Sequence, residues 1–425
     1  MSRDAVARIG WRRRRRRPLV AVAVAMGLSA WAWNVGLIFD GPVPTPSTRV
    51  SAVSGPGDWG MIGRDAAHTS AVDGHQALEG RIAWRFESPA LWLTPPAIAD
   101  GRVYLATGDG SLVSLDAGDG SVVWEREVPV PTAASPAVTA SHVYLTARDG
   151  RMLAISRDGE PAWEFRAGGP FSTAVVVYQG VAYAGSADGT LYAVDAANGG
   201  LLWSIEMEGR VTSAPSMSGD LLAVAADDRL IYLIDVTTGK KRMVFATPHL
   251  TSTSPVFADE RLLISTRGGT LTALDSTKLE YPMERAFRYW RQQLFLWGMQ
   301  SDPPVPKGFV WGRLLGRGEA VSEATVLDGV AYVALSEGRL RAIAVADGTP
   351  LWSYEAGAPV RTAPGVAGNL VYVGSEDGAV HVVDRHAGGL RQSLDVGARM
   401  VGPVVATATT VYVMSSESAT LMALR

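Results

Sequence analysis

The sequence predicts an all-β, eight-bladed β-propeller of four-stranded antiparallel blades, preceded by one transmembrane helix. Two periodicities and one piece of bookkeeping carry the prediction. The middle of a recurring strand falls at Tyr104, Tyr144, Tyr183, Ala223, Leu263, Tyr332, Tyr372 and Tyr412, in steps of 40, 39, 40, 40, 69, 40 and 40 residues. A tryptophan keeps the same beat at Trp84, Trp124, Trp163, Trp203, Trp311 and Trp352, with Met243 and Gln392 standing in its place in the other two repeats. Each unit, for example 180–203, reads as short alternating strands separated by Asp-Gly or Asn-Gly turns, the residues that supply the positive φ of tight hairpins. One such sheet cannot bury both of its faces alone, so a period near 40 residues implies blades stacked in a ring. The last repeat ends before its tryptophan strand, whereas IAWRFES around Trp84 is a tryptophan strand with no repeat of its own. Residues 81–87 are therefore expected to complete the eighth blade and to hide the edge an open array would expose.

Residues 1–17 hold eight Arg and one Asp, so the formal net charge of −3 leaves 31 basic against 41 acidic residues, or −10, for the rest of the chain. A net acidic propeller argues against nucleic acid as a partner. After this basic tail, expected to stay in the cytoplasm, residues 18–39 contain LVAVAVAMGLSAWAWNVGLIF, 21 residues without a charge, enough to cross a bilayer. The arginines would remain inside and place the propeller on the periplasmic or extracellular side of the cytoplasmic membrane. A cleaved signal peptide with Ala30 and Ala32 at its cleavage site is the competing reading. Residues 40–57, rich in Pro, Ser and Gly, read as a linker able to reach roughly 50 Å when extended. The glycines at 55, 57 and 60 spell G-x-G-x-x-G, but no strand precedes them and Pro56 interrupts, so a dinucleotide site is not supported.

The propeller proper spans 58–425. Its leader, DWGMIGRDAAHTSAVDG, is followed by repeats of the form A-x-D-x3-G-x3-W (Ala193, Asp195, Gly199, Trp203), with near matches at Asp116/Gly120/Trp124, Asp235/Gly239 and Gly348/Trp352. On these residues the chain resembles the PQQ-like β-propeller repeat family, which includes quinoprotein dehydrogenases, BamB-type assembly proteins and many surface proteins. The repeated Asp residues are expected to cap turns. The repeat tryptophans are expected to pack between blades as core.

What the repeat leaves unexplained is where function is sought. The loops that enter the innermost strands share one face with the channel mouth and carry Trp92, Phe171, Arg210, His249, Arg361 and Arg399, a set suited to an anionic ligand or a partner's carboxylates. An insertion spans 276–308, leaving from the opposite face. Its YPMERAFRYWRQQLFLWG reads as a helix with Pro282 in the first turn and Gly298 as a stop. Phe287, Trp290, Leu294 and Trp297 form one stripe, which can lie on a membrane, enter a partner's groove or pack on the propeller itself.

The resemblance raises a PQQ-dependent dehydrogenase, which would imply a quinone above the channel, a bound calcium, an Asp base and often a disulfide of adjacent cysteines. The chain has no cysteine, seven of its eight repeats are minimal, and its mouth loops show no acidic cluster. There is no G-x-S-x-G, P-loop or H-E-x-x-H, and of six scattered histidines only His381 and His386 are near neighbours. No catalytic residue, cofactor or metal site is expected. The favoured expectation is a non-catalytic, membrane-anchored scaffold or accessory subunit that partners envelope or membrane-complex proteins. A ligand-binding surface sensor is a further alternative.

Overall fold

A computed structural model describes residues 43–53, 58–72, 74, 80–88, 90, 94–128, 134–251, 253–280, 284–316, 320, 323–415 and 419–425. The proposed transmembrane segment and Trp92 lie outside these residues. Val43–Leu279 and Val305–Arg425 form one compact unit, the propeller, while the insertion helix belongs to a second unit.

The propeller has eight sheets in sequence order, each a meander from an inner strand at the axis to an outer strand at the rim. In the third blade these are Val176–Tyr178, Val181–Gly185, Thr190–Asp195 and Leu201–Glu206. Strands covered on both faces are built of Val, Ala, Leu and Tyr and are almost wholly buried, while the outer strands alternate exposed and half-buried residues. The eighth blade consists of Met400–Ala406, Val411–Ser415 and Thr420–Leu424, and Ile82–Glu87 pairs with the last of these. The ring closes as the repeat count predicts. The seventh blade has a fifth strand, Ala71–Val72 of the leader, parallel to its inner strand Gly365–Ala367.

One contact recurs between blades. The indole nitrogens of Trp84, Trp124, Trp163, Trp311 and Trp352 donate to the carbonyls of Ala117, Arg157, Ala196, Val345 and Arg385 in the next blade, at 2.8–3.1 Å. Each acceptor sits in the turn between the third and outer strands. There a glycine lies flat on the incoming indole: a Cβ added at Gly120, Gly199, Gly348 or Gly388 would come within 2.6–2.7 Å of it. These glycines also have positive φ, so the position needs glycine for backbone and for space. The turn Asp residues accept its amides, as Asp116 does from Gly118 at 2.7 Å and Asp195 from Ala197 at 2.8 Å. Within a blade, the same indole leans on the second-strand tyrosine, 5.8 Å between centroids for Tyr332 and Trp352. Met243 occupies the tryptophan's place against Gly308, and Gly80, ahead of the closing strand, meets Gln392 of blade seven.

The described part of the 40–57 linker departs from the expectation of a free tether. Ser47 donates its amide and hydroxyl to Asp195 at 2.7 and 2.9 Å, Val50 accepts from Gly180, and Ala52 donates to Val177. Val43 lies against Gly239, whose added Cβ would sit 3.7 Å from its Cγ2. Small polar residues that look unstructured in isolation are here laid on the turns of blades three and four, whose carboxylate and amides they satisfy.

The leader continues around the inner rim. Ile98, Val138, Met217, Phe257, Val326 and Val366 of blades one, two, four, five, six and seven donate backbone N–H groups to Trp59, Gly60, Ala66, Ala67, Thr69 and Ser70. Inner-strand edges that would otherwise point unpaired into the channel are thereby satisfied. Trp59, Met61 and His68 are buried in this collar. Asp65 accepts from Thr69 through amide and hydroxyl and pairs with Arg64 at 3.5 Å. His68 is fully buried at φ 62°, and its ring fills space that a Cβ on Gly63 would invade. Burial pushes its pKa from 6.5 to about 4; the Pro215 carbonyl opposes this slightly but makes no hydrogen bond of ordinary geometry with either ring nitrogen.

Two outcomes follow from these contacts. Trp311→Ala should cost about 3–5 kcal/mol and Gly348→Ala about 2–4 kcal/mol. Their double variant should lose less than the sum, because both remove one contact; denaturant unfolding measures all three. Because the folded pKa of His68 lies below its unfolded value, the chain should lose stability as pH falls below 6.5. The loss should reach about 3 kcal/mol by the time pH passes 4. His68→Asn, tolerant of positive φ, should flatten that slope whatever its effect on absolute stability.

Candidate interaction surfaces

The mouth loops are fixed by the repeat's own hydrogen bonds. Hydroxyls of Thr94, Thr173, Ser213 and Thr362 accept the amides of Ala106, Gly185, Ala225 and Gly374 at 2.8–2.9 Å. Phe171 is buried edge-on against Tyr192, and the exposed His249 occupies space left by Gly268. The three arginines do not converge on one point. Arg361 at 2.9 Å and Arg399 both bind Oε1 of Glu376, which bridges blades seven and eight. Arg210 pairs instead with Asp227 at 2.8 Å. The two guanidiniums hold the Glu376 carboxyl below its ordinary range. Its contribution to stability is thus complete above pH 4.5 and lost as pH falls through the lowered value. These pairs are open to solvent, Arg210 being 68% exposed, so they spend the arginines' charge locally without gripping the fold.

The two near-neighbour histidines make separate contacts. His381 is held between the Tyr354 and Ser375 hydroxyls, each at 2.9 Å, whereas exposed His386 faces Asn369. Among the described residues no three His, Asp or Glu side chains are grouped to hold a metal ion. An open groove of about 610 Å³, not foreseen from sequence, runs between blades six and seven past Asp328, Asn369, Asp384, Arg385 and Arg391. Its charges are also matched, Arg385 with Asp328 and Arg391 with Asp384 at 2.7 Å. Periodicity does not reveal such a groove because its residues belong to two repeats.

The insertion leaves the propeller after Ser276 and returns at Gly308, whose carbonyl accepts the Asp275 amide at 2.7 Å. Between them Glu284–Leu296 is helical. Gly298, at φ 71°, ends it, with the Met299 amide donating to Leu294 as the closing bond. Phe287, Trp290 and Trp297 are about 60% exposed, Tyr289 and Leu296 are exposed as well, and Leu294 is half-buried. So much aromatic surface open to solvent exceeds what a lone soluble domain ordinarily shows.

Closed by its own N-terminal strand and built on the tryptophan-on-glycine contact, the molecule is an eight-bladed propeller of PQQ-like repeats. The family model described as outer membrane protein assembly factor BamB matches residues 68–174, 157–278 and 290–425, and the chain belongs to that family. Among solved structures, BamB from Moraxella catarrhalis is 16% identical, with a TM-score of 0.63 over 81% of this chain and 97% of that one. A europium-containing methanol dehydrogenase is 14% identical, with a TM-score of 0.67 over 87% and 90%. The quinohemoprotein alcohol dehydrogenase from Comamonas testosteroni is 16% identical, with 0.67 over 88% and 81%. These likenesses are of fold. A curated relative, the beta-alanine-activating enzyme of Danio rerio, is 32% identical over 100 residues, which are 22% of this chain and 9% of that protein's length.

The dehydrogenase likeness poses a fit test for a calcium-bound quinone. The described mouth residues do not fit one: Glu376 is already bridged by two arginines, Asp227 is taken by Arg210, and the hydroxyls serve the backbone. Arg210→Ala should lower stability by less than about 1 kcal/mol, as expected of an exposed pair; a fall of several kcal/mol in urea unfolding would contradict this reading of the mouth.

Proposed function

We propose that the chain is a non-catalytic scaffold, an accessory subunit of a membrane or envelope protein complex. In this reading residues 18–39 anchor it in the cytoplasmic membrane, with the arginine-rich residues 1–17 on the cytoplasmic side. The observation that carries the proposal is that the described polar groups of the mouth are committed to turns and local ion pairs, while broad rigid surfaces remain exposed. Such a disc presents surfaces to other proteins without needing a preorganised reaction site. Family membership supports the same direction, since the family is described by an assembly factor.

Cross-linking of the intact chain in its native membrane, followed by gentle detergent extraction and mass spectrometry, should recover defined neighbouring proteins. Recovery of the chain alone would sink the scaffold. Calcium with PQQ should leave the melting temperature of the full chain unchanged, because a ligand at 100 times its dissociation constant would add about 2.7 kcal/mol. A clear upward shift would reinstate the dehydrogenase.

A further inference from the structure

We infer that the insertion helix Glu284–Leu296 is a lipid-binding element that lies in the headgroup region of the membrane holding the chain's own anchor. The inference rests on the anchored reading above and adds which face meets the bilayer and what chemistry it meets there.

The first ground is covalent reach. The apolar stretch ends at Phe39, and by Val43 the chain already lies against Gly239, in the turn between the third and outer strands of blade four. Four residues span at most roughly 14 Å. Ser47 is then bonded to the equivalent turn of blade three through Asp195. The chain thus enters the propeller at these turns of blades three and four, a short covalent reach from the end of the apolar stretch. The insertion leaves from the same kind of turn in blade five, the next in the ring, between Asp275 and Gly308. Only seven residues lie between Ser276 and Glu284, eight Cα steps that limit the helix start to roughly 28 Å from that root.

The second ground is charge. The chain has four lysines, Lys240, Lys241, Lys278 and Lys307, and all of them lie here. Lys240 and Lys241 open the outer strand of blade four beside Gly239, and Lys278 and Lys307 flank the insertion. Arg242 ties the two places together by donating to the Thr277 carbonyl at 3.2 Å. Arg288 and Arg291 add charge on the helix. Lys278 pairs with Asp275 at 3.4 Å and Lys241 lies over the Tyr232 ring, so it is the summed charge of the cluster, on a propeller of net acidic charge, that is matched to anionic headgroups, with long basic stems resting on apolar surface.

The third ground is the apolar surface itself. Tyr289, Trp290 and Trp297 are aromatic residues suited to the boundary between headgroups and acyl chains, and Phe287, Leu296 and Met299 are exposed with them. Leu279 and Val305, at the two feet, are 50% and 61% exposed. A protein groove would accept one stripe of such a helix, whereas an interface also accommodates the flanking cations.

The absence of cysteine makes the test direct. Full-length single-cysteine variants Phe287→Cys, Trp297→Cys and, as a control on an exposed outer-strand residue, Arg166→Cys are labelled with an environment-sensitive fluorophore. They are reconstituted into vesicles of phosphatidylcholine and phosphatidylglycerol containing a doxyl-labelled lipid. Labels at 287 and 297 should lose fluorescence to the lipid quencher and shift to the blue, and should do so less without phosphatidylglycerol, while the label at 166 should not change. Equal quenching at all three positions overturns the inference. Shielding at 287 and 297 in native membranes but not in vesicles also overturns it, in favour of a protein groove. A carbonate wash separates the anchor: a chain that washes off after its labels were quenched loses the anchor and keeps the lipid-binding helix. A chain that stays with its labels open to water does the reverse.

Discussion

The fold depends on a tryptophan laid on a glycine of the next blade. Neighbouring blades touch mostly through non-directional apolar packing, which specifies neither register nor rotation. The indole adds a direction, because its N–H must reach one carbonyl while its face must find the one turn residue without a side chain. Propagated around the ring, this contact sets the angle between blades, and the Asp-capped turn that receives it is rigid because its amides are already bonded. Blade eight keeps the glycine even though Gln392 of blade seven, not an indole, meets it. Its third strand is C-terminal, yet the turn glycine is still supplied, by Gly80 from the other end of the chain.

The repeat was legible because each copy has to solve the same local problem with the same residue types. Tyrosine, tryptophan, turn aspartate and positive-φ glycine fall at fixed offsets, so blade number, closure by 81–87 and the site of the insertion could be counted from the sequence. The leader and linker were not legible. Ser47, Ala52, Ala66 and Thr69 bond through backbone groups or a single hydroxyl, and nothing in their side chains announces partners one hundred or more residues away. Proline and serine compose a free tether as readily as a strap laid on a surface. His68 was visible as a residue, but its burial comes from blades it does not neighbour in sequence.

The surfaces divide on similar lines. That Arg361 and Arg399 share Glu376, while Arg210 turns to Asp227, follows from how adjacent blades are rotated, which spacing alone does not contain. The insertion helix was legible because helical periodicity stands out against strands of period two. What the structure adds is the address of its roots: they lie one blade beyond the point where the chain arrives from its N-terminal segment, on the same face. Strap and insertion roots thus share one kind of turn, that between the third and outer strands, in blades three to five.

The collar also shapes how the ring is made. Residues 59–72 leave the ribosome before any blade, yet Ala71 pairs with Val366 and Ile82 with Leu424. Ala71 has no partner until blade seven is made, and Ile82 none until blade eight is. Such long sequence separations slow folding and leave unpaired strands able to join other chains. A nascent propeller is therefore an open arc whose two ends must be kept from strangers, and its exposure to misassembly is set by the time blades seven and eight take to arrive.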